Sequence, residues 1–283
     1  MKTHLDCMPC FLRQAIDASK LAGANEALQK KVVDKVARML PDLPLEASPP
    51  EIAEAVYGVV ERLTGGEDSY KRIKQKSNKC ALEIYPRLKN IVNSAGDRLL
   101  AALRLAVAGN VIDYGLPNVF DIEEEIEDCL KKDFAVFDYD DFKKVFSGAK
   151  NILYLLDNAG EVVFDKLLVE EMAAKSVVCA VREKPIINDV TLDDAKKVGL
   201  DAVATVISSG SAIPGTVISK CNKEFLECYR KADMIISKGQ GNFETLASQE
   251  KPVFFIFKAK CPVVAGEVGC LVGDIILKRQ QPD

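Results

Sequence analysis

The sequence predicts an α/β protein: a mostly parallel β-sheet flanked by helices in a Rossmann-like three-layer arrangement, with an all-helical N-terminal domain ahead of it. Three observations carry this prediction. Residues 1–132 place apolar side chains at helical spacing between short breaks, whereas residues 133–283 alternate short apolar runs with helical stretches. The runs themselves are rich in Val, Ile, Leu and Phe, as strands buried on both faces require. At 283 residues, 48% hydrophobic and 28% charged, the chain is long enough for one or two cores. The predicted domains are therefore 1–132, helical, and 133–283, α/β.

Taken in order, the stretch from Pro9 to Ala22 is periodic and stops at Gly23. A proline cluster at 41, 44, 49 and 50 reads as a linker, and Ser48-Pro49-Pro50-Glu51 has the form of a capping box ahead of a helix from Ile52 to Leu63. Helices are expected from Ser69 to Tyr85, ended or kinked by Pro86, and from Asp97 to Ala108. The acidic stretch Asp121 to Asp128 reads as a solvated helix face. Strands are expected at 152–156, 176–181, 202–207, 234–236 and 253–257.

Charge and composition exclude several functions. Lys and Arg total 38 against 42 Asp and Glu, so the basic footprint of a nucleic-acid binder is missing. Apolar runs such as Val253 to Phe257 fall far short of the roughly 20 residues a membrane helix needs, and no signal-peptide core follows Met1. The expectation is a soluble cytoplasmic protein. The single histidine, His4, argues against Ser-His-Asp, Cys-His and His-rich zinc chemistry. Nine cysteines, an odd number without a secretory signal, suggest reduced thiols or a metal site rather than a disulfide framework.

In a parallel sheet ligands bind beyond the carboxyl ends of the strands, so the residues after each run are the candidates. The first run ends in Asp157-Asn158-Ala159-Gly160-Glu161 and the second leads to Asn188 and Asp189 beside Arg182 and Lys184. The third ends in the small-residue loop Ser208-Ser209-Gly210-Ser211, whose N–H groups could face an anion, although ordinary turn chemistry would give the same loop. The fourth ends in Lys238-Gly239-Gln240-Gly241 and the fifth in Lys258-Ala259-Lys260-Cys261. Hard oxygen donors on two loops, small residues on one and lysines on two are what a metal ion plus a phosphoryl group requires.

Asp157 to Glu161 (DNAGE), Ile187 to Asp189 (IND), Lys238 to Glu244 (KGQGNFE) and Lys258 to Cys261 (KAKC) together resemble the metal-dependent damage-control phosphatases, first catalogued as domain of unknown function 89. So do Cys7-Met8-Pro9-Cys10 and Gly109 to Asp113 (GNVID), and the paired cysteines place the likeness in the small microbial branch. The resemblance implies a phosphatase acting on small phosphate monoesters such as sugar phosphates or damaged, phosphorylated cofactor intermediates. It implies that Asp157, Asn158 and Asp189 hold a divalent metal, Mn, Mg, Co or Ni, and that Lys258 binds phosphate. Asn110 and Asp113 would face the cleft, with Ser209 and Gly239 beside the phosphate. Asp157, Asp189 and Lys258 form the expected catalytic set, with water preferred as nucleophile and Asp189 or Glu161 as its base.

Two rival readings remain at this point. His4, Cys7 and Cys10, with Cys80 as a possible third thiol, could form a second metal or redox site, making the protein a non-catalytic metal-binding or redox module; buried thiols packing at a helix start account for them equally well. Gly239-Gln240-Gly241 could instead mark a nucleotide-cofactor enzyme, but a dinucleotide fingerprint needs a third glycine where Glu244 stands.

Overall fold

The computed structural model of the chain describes residues 1–66, 68–109, 126–247 and 251–280. Three helices come first: α1 (Cys7–Leu21), α2 (Glu26–Met39) and α3 (Pro49–Thr64). The Ser48/Glu51 capping box forms as expected, with Glu51 Oε2 accepting from both Ser48 N (3.0 Å) and Ser48 Oγ (2.7 Å). Phe11, Val32, Val36, Ile52 and Val56 make a compact core of their own between these helices.

Helix α4 (Lys71–Ser94) continues through Pro86, where the sequence expected it to end or kink, and so does not end there. The missing N–H falls on the exposed side, where water can take up the carbonyl it leaves free, while Ala81, Ile84, Leu88 and Val92 are buried along the opposite face. Helix α5 (Arg98–Gly109) is apolar on nearly every side because it lies between α4 and the sheet region. Residues 126–131 are helical (α6).

The second part alternates: β1 (Val136–Phe137), α7 (Tyr139–Gly148), β2 (Asn151–Leu155), α8 (Glu161–Glu170), β3 (Ser176–Val181), α9 (Leu192–Lys197), β4 (Thr205–Ser208), α10 (Lys223–Lys231), β5 (Met234–Lys238), α11 (Gln240–Leu246), β6 (Val253–Lys258), α12 (Pro262–Val268) and β7 (Ile275–Arg279). The sheet order is β1-β7-β6-β5-β2-β3-β4. Strands β2 to β6 are mutually parallel; β7 pairs antiparallel with β6 and carries β1 parallel to itself at that edge.

Alternation along the strands splits the core into two layers. Ile152 and Tyr154 of β2, Met234 and Ile236 of β5, and Phe254 and Ile256 of β6 pack with α4, α5, α7 and α8. Leu153, Leu155, Ile235, Phe255 and Phe257 face the other way, onto Phe225 of α10, Phe243 of α11 and Val264 of α12. Helices α4 and α5 thus share their core with the sheet, and α1 to α3 sit apart, with α3 packed on α11 at the strands' carboxyl ends. Among the described residues no helix is long and apolar enough to cross a membrane.

Candidate active site

From β2 the chain steps outward through β3 to β4, then crosses back to β5 and proceeds outward the other way. Connections leaving β2 and β5 therefore diverge, and open a crevice between their carboxyl ends. A cleft of ≈ 700 Å³ occupies it. Asp157, Asn158 and Asp189 line its sheet side with Gln240 and Lys260, while α1 and α3 form the roof. A second cavity of ≈ 620 Å³ under α3 shares Ile187 with the cleft but contains none of those strand-end side chains.

Backbone hydrogen bonds draw the two acidic loops together. Val190 N donates to Asp157 O (2.9 Å), Ala159 N donates to Asn188 O (2.9 Å), and Asn158 and Asp189 form an isolated antiparallel bridge. Asn158 Nδ2 donates to Asp157 Oδ2 at 2.8 Å. On the far side of the turn, Asn78 of α4 accepts from Gly160 N at 2.6 Å, which pins the start of α8. Ile187, just before Asn188, adopts φ +40°, a costly conformation for a β-branched residue and one kept only where surrounding contacts enforce it. Gly239 is there by necessity: its φ is +81°, and a Cβ would stand 2.0 Å from Asp157 Oδ2. Gly241 is equally cramped, with a Cβ 2.2 Å from Pro214 O, so both glycines are accounted for by packing without a dinucleotide.

Two buried cations brace the turn. Arg182 Nε donates to Asp189 Oδ2 (2.7 Å), its Nη1 to Thr216 Oγ1 (3.2 Å) and its Nη2 to Asn242 Oδ1 (3.1 Å). Lys238 Nζ donates to Ala106 O (2.8 Å), Glu161 Oε1 (2.5 Å) and Asp165 Oδ1 (2.6 Å). Burial, then the carboxylates of Glu161 and Asp189, push Asp157 well above the usual carboxylate range, against the pull of Lys260 and Arg182. Burial likewise raises Asp165 to about 7 although Lys238 opposes it. Such crowding of hard oxygen donors around Asp157 is what a divalent cation relieves; two carboxylates and an amide oxygen, from Asp157, Asp189 and Asn158, suit Mg²⁺, Mn²⁺ or a similar ion.

The remaining sequence candidates divide. Gly239 lies against Asp157 as described. Lys258 ends β6, but among the described residues the lysine that lines the sheet side of the cleft is Lys260, close enough to lower the pKa of Asp157. Ser209 is buried in a loop whose N–H groups are consumed locally: Ser209 N donates to Val181 O, Gly210 N to Ser208 Oγ, and Ile213 N to Ser211 Oγ. Turn chemistry, not anion binding, accounts for that loop. Glu161 is fully buried on Lys238 and does not line the cleft. Asn110 and Asp113, with most of the acidic stretch from Asp121, lie outside the described residues.

Cys7 and Cys10 line the cleft, whereas Cys80 packs against the core around α5 and α8. Cys80 therefore does not complete a thiolate site with them, and no group of three His, Cys, Asp or Glu among the described residues could hold a metal. The third thiol at the cleft is Cys261, whose Sγ accepts from Val264 N (3.5 Å). Burial pushes the Cys7 thiol up, away from thiolate character.

Sequence reasoning missed Asn78, Thr216, Asn242 and Asp165. Asn242 lies within the KGQGNFE stretch and a strand-end reading could have included it. The others act across 82, 34 and 73 positions of sequence and leave no local signal.

Comparison with known proteins agrees with this geometry. A family profile described as the damage-control phosphatase ARMT1-like domain matches residues 3–276. The chain is 36% identical over 295 residues to an uncharacterized protein of Methanocaldococcus jannaschii, covering 99% of this chain and 96% of that one. It is 34% identical over 287 residues to a damage-control phosphatase of Pyrococcus horikoshii, covering 99% of each. The crystal structure of a DUF89 family protein from Pyrococcus horikoshii matches with a TM-score of 0.92 at 33% identity, over 99% of this chain and 100% of that one. With a profile that spans nearly the whole chain and full-length relatives above 30% identity, the chain belongs to the damage-control phosphatase ARMT1-like family and is a hydrolase of phosphate esters.

Proposed function

We propose that the cleft between β2 and β5 hydrolyses small phosphate monoesters, sugar phosphates or phosphorylated cofactor fragments, with Asp157, Asn158 and Asp189 holding a divalent cation and Lys260 gripping the phosphoryl oxygens. The observation that carries the reading is the convergence of these four side chains on one cleft at the topological switch point. Uncatalysed monoester hydrolysis is so slow that an enzyme must take on the order of 20 kcal/mol from its barrier, and positioned charge is the main means available here. A bound divalent cation would supply charge to the phosphoryl group and to the leaving oxygen.

The chain's own groups do the rest. Arg182 fixes the orientation of Asp189 through Nε, and the Asn158 amide is steadied by Asp157. Gly239 lets the β5–α11 turn close directly on Asp157. Lys260, on the flexible stem of an exposed lysine, can follow charge as it moves onto the departing phosphate; it takes the role the sequence expected of Lys258. The roof from α1 and α3 limits how much water shares the cleft.

The test is metal removal and return. Stripped protein should release no phosphate from a panel of sugar phosphates and cofactor fragments, and Mn²⁺, Mg²⁺, Co²⁺ or Ni²⁺ should restore release. Full turnover in excess chelator, with elemental analysis finding no metal, would end the metal-dependent reading.

A further inference from the structure

The loop that delivers Asp189 has little packed around its first half. Glu183, Lys184 and Pro185 are exposed. The cavity of ≈ 620 Å³ under α3 is lined by Lys184, Pro185, Ile186 and Ile187 together with Tyr57 and Tyr70. A segment with few packed neighbours and open space beside it relaxes easily. Yet Ile187 keeps φ +40°, the only positive φ outside glycine among the described residues. A backbone in so costly a conformation persists only where its surroundings over-determine it.

The Ile187 side chain supplies that constraint. It packs against the core that Phe11, Val32, Ile52 and Val56 build between α1, α2 and α3. Among the described residues every other apolar side chain of this core comes from residues 7–73, so Ile187 is the anchor that the α/β part sets into it. The residues that follow belong to the cation site. Asn188 O accepts from Ala159 N at 2.9 Å, Asp189 N donates to Ile186 O at 3.1 Å, and Val190 N donates to Asp157 O at 2.9 Å. Returning Ile187 to negative φ would redirect the chain immediately before Asn188 and Asp189, and carry both away from Asp157.

We propose that Ile187 is a positioning residue for the divalent cation: seated in the core of α1 to α3, it holds the loop in the conformation that presents Asp189 to Asp157 and Asn158, so that docking of the helical roof and assembly of the cation site are one event. The inference rests on the cation-site reading of Asp157, Asn158 and Asp189. It differs from simple packing in what glycine does. Ile187→Ala and Ile187→Gly both remove the anchor, but only glycine takes positive φ without strain. Packing alone ranks them the other way, because glycine loses more backbone entropy on folding.

The test is calorimetric titration of Mn²⁺ into the stripped protein, with a urea midpoint for each form, on the wild type, Ile187→Ala, Ile187→Gly and Val36→Ala. Val36 lies on α2, fully buried in the same core, and reports what loosening that core does by itself. Ile187→Ala should lose about 10- to 100-fold in Mn²⁺ affinity, the range for groups that orient a metal ligand. Ile187→Gly should bind about fivefold or more tightly than Ile187→Ala, the lower end of what a strained φ costs, and less tightly than the wild type. Val36→Ala should lower the urea midpoint and leave Mn²⁺ affinity unchanged. A misfolded fraction reduces the number of sites titrated and not their affinity, so folding defects cannot imitate this order. Ile187→Ala binding like the wild type, Ile187→Gly no tighter than Ile187→Ala or as tight as the wild type, or Val36→Ala losing as much affinity as Ile187→Ala overturns the positioning role while the cation site stands. A wild type that binds no Mn²⁺ overturns the cation site and the inference with it.

Discussion

Arg182 and Lys238 flank the same strand, β2, one just beyond the end of β3 and the other closing β5, and both are removed from water. Arg182 spreads its planar guanidinium over one carboxylate and two neutral oxygens, on Asp189, Thr216 and Asn242. Lys238 is a point charge serving two carboxylates, Glu161 and Asp165, and one carbonyl on α5. The first arrangement has direction and aims Asp189 at the cleft. The second has little direction: it neutralises charge beneath the turn and ties α5 and α8 to the sheet. Tyr154 OH, donating to Asp165 Oδ1 at 2.7 Å, completes it. On the proposed role of Asp189, function and stability are separated across one strand, and the difference between the two residue types tracks the difference in task.

That contrast is broken most severely by Lys238→Met. The substitution keeps volume but leaves Glu161 and Asp165 buried without a cation, and breaking a buried ionic cluster in this way costs about 3–5 kcal/mol. Urea unfolding should show the loss as a lower midpoint. A change below about 1 kcal/mol, small against that expectation, would mean the cluster does not carry the junction between α5, α8 and the sheet.

A third cation sharpens the comparison because it is exposed where the other two are buried. Lys260→Ala should lower kcat/KM by about 2–4 kcal/mol, by analogy with loss of a preorganised charge-stabilising donor. Stability should hardly move. Lys258→Ala, made in parallel, should have the smaller kinetic effect, since Lys258 ends β6 in antiparallel register with Ile275. The reverse ranking in a phosphate-release assay would return the phosphate-binding role to Lys258.

The ranking matters for what the sequence could reveal. Strands β2, β3, β5 and β6 were legible because strands buried on both faces need continuous apolar runs, whereas β4, expected at 202–207, occupies Thr205–Ser208 at the sheet's edge after a 3-10 turn at Leu200–Ala202. β1 and β7 were not: β1 has two residues, and Lys278 and Arg279 break the run in β7. Asp157, Asn158 and Asp189 could be read from their places after strands, and the cleft does contain them. The choice between Lys258 and Lys260 could not, because it depends on how the chain leaves β6 and Lys260 N meets Gln240 Oε1. Asn78 and Lys238 act through partners 82 and 132 positions away, which no local pattern records. The Ser209 loop misled for the opposite reason, since the same small residues that suit an anion also satisfy their own backbone.

The gentlest way to separate the two buried cations is Arg182→Lys, which keeps the charge and removes the fork. A lysine at this position can still reach one oxygen, and Asp189 is the charged choice. It cannot also hold Thr216 and Asn242 in the same plane. Those two need not be stranded, because Thr216 Oγ1 already donates to Asn242 Oδ1 at 2.8 Å, and Asn242 Nδ2 donates to Lys238 O at 2.8 Å and Leu156 O at 3.2 Å. The fold should therefore survive with a loss of about 1–2 kcal/mol, in the range of one or two hydrogen bonds. What changes is the freedom of Asp189, whose carboxylate is no longer fixed by a rigid donor. Groups that orient a metal ligand typically govern about 10- to 100-fold of metal affinity. Calorimetric titration of Mn²⁺ into the stripped protein should show a loss of that size in Arg182→Lys, with the urea midpoint close to wild type. Unchanged Mn²⁺ affinity would mean that charge alone, and not direction, is what Arg182 provides, and the distinction between the two networks would collapse.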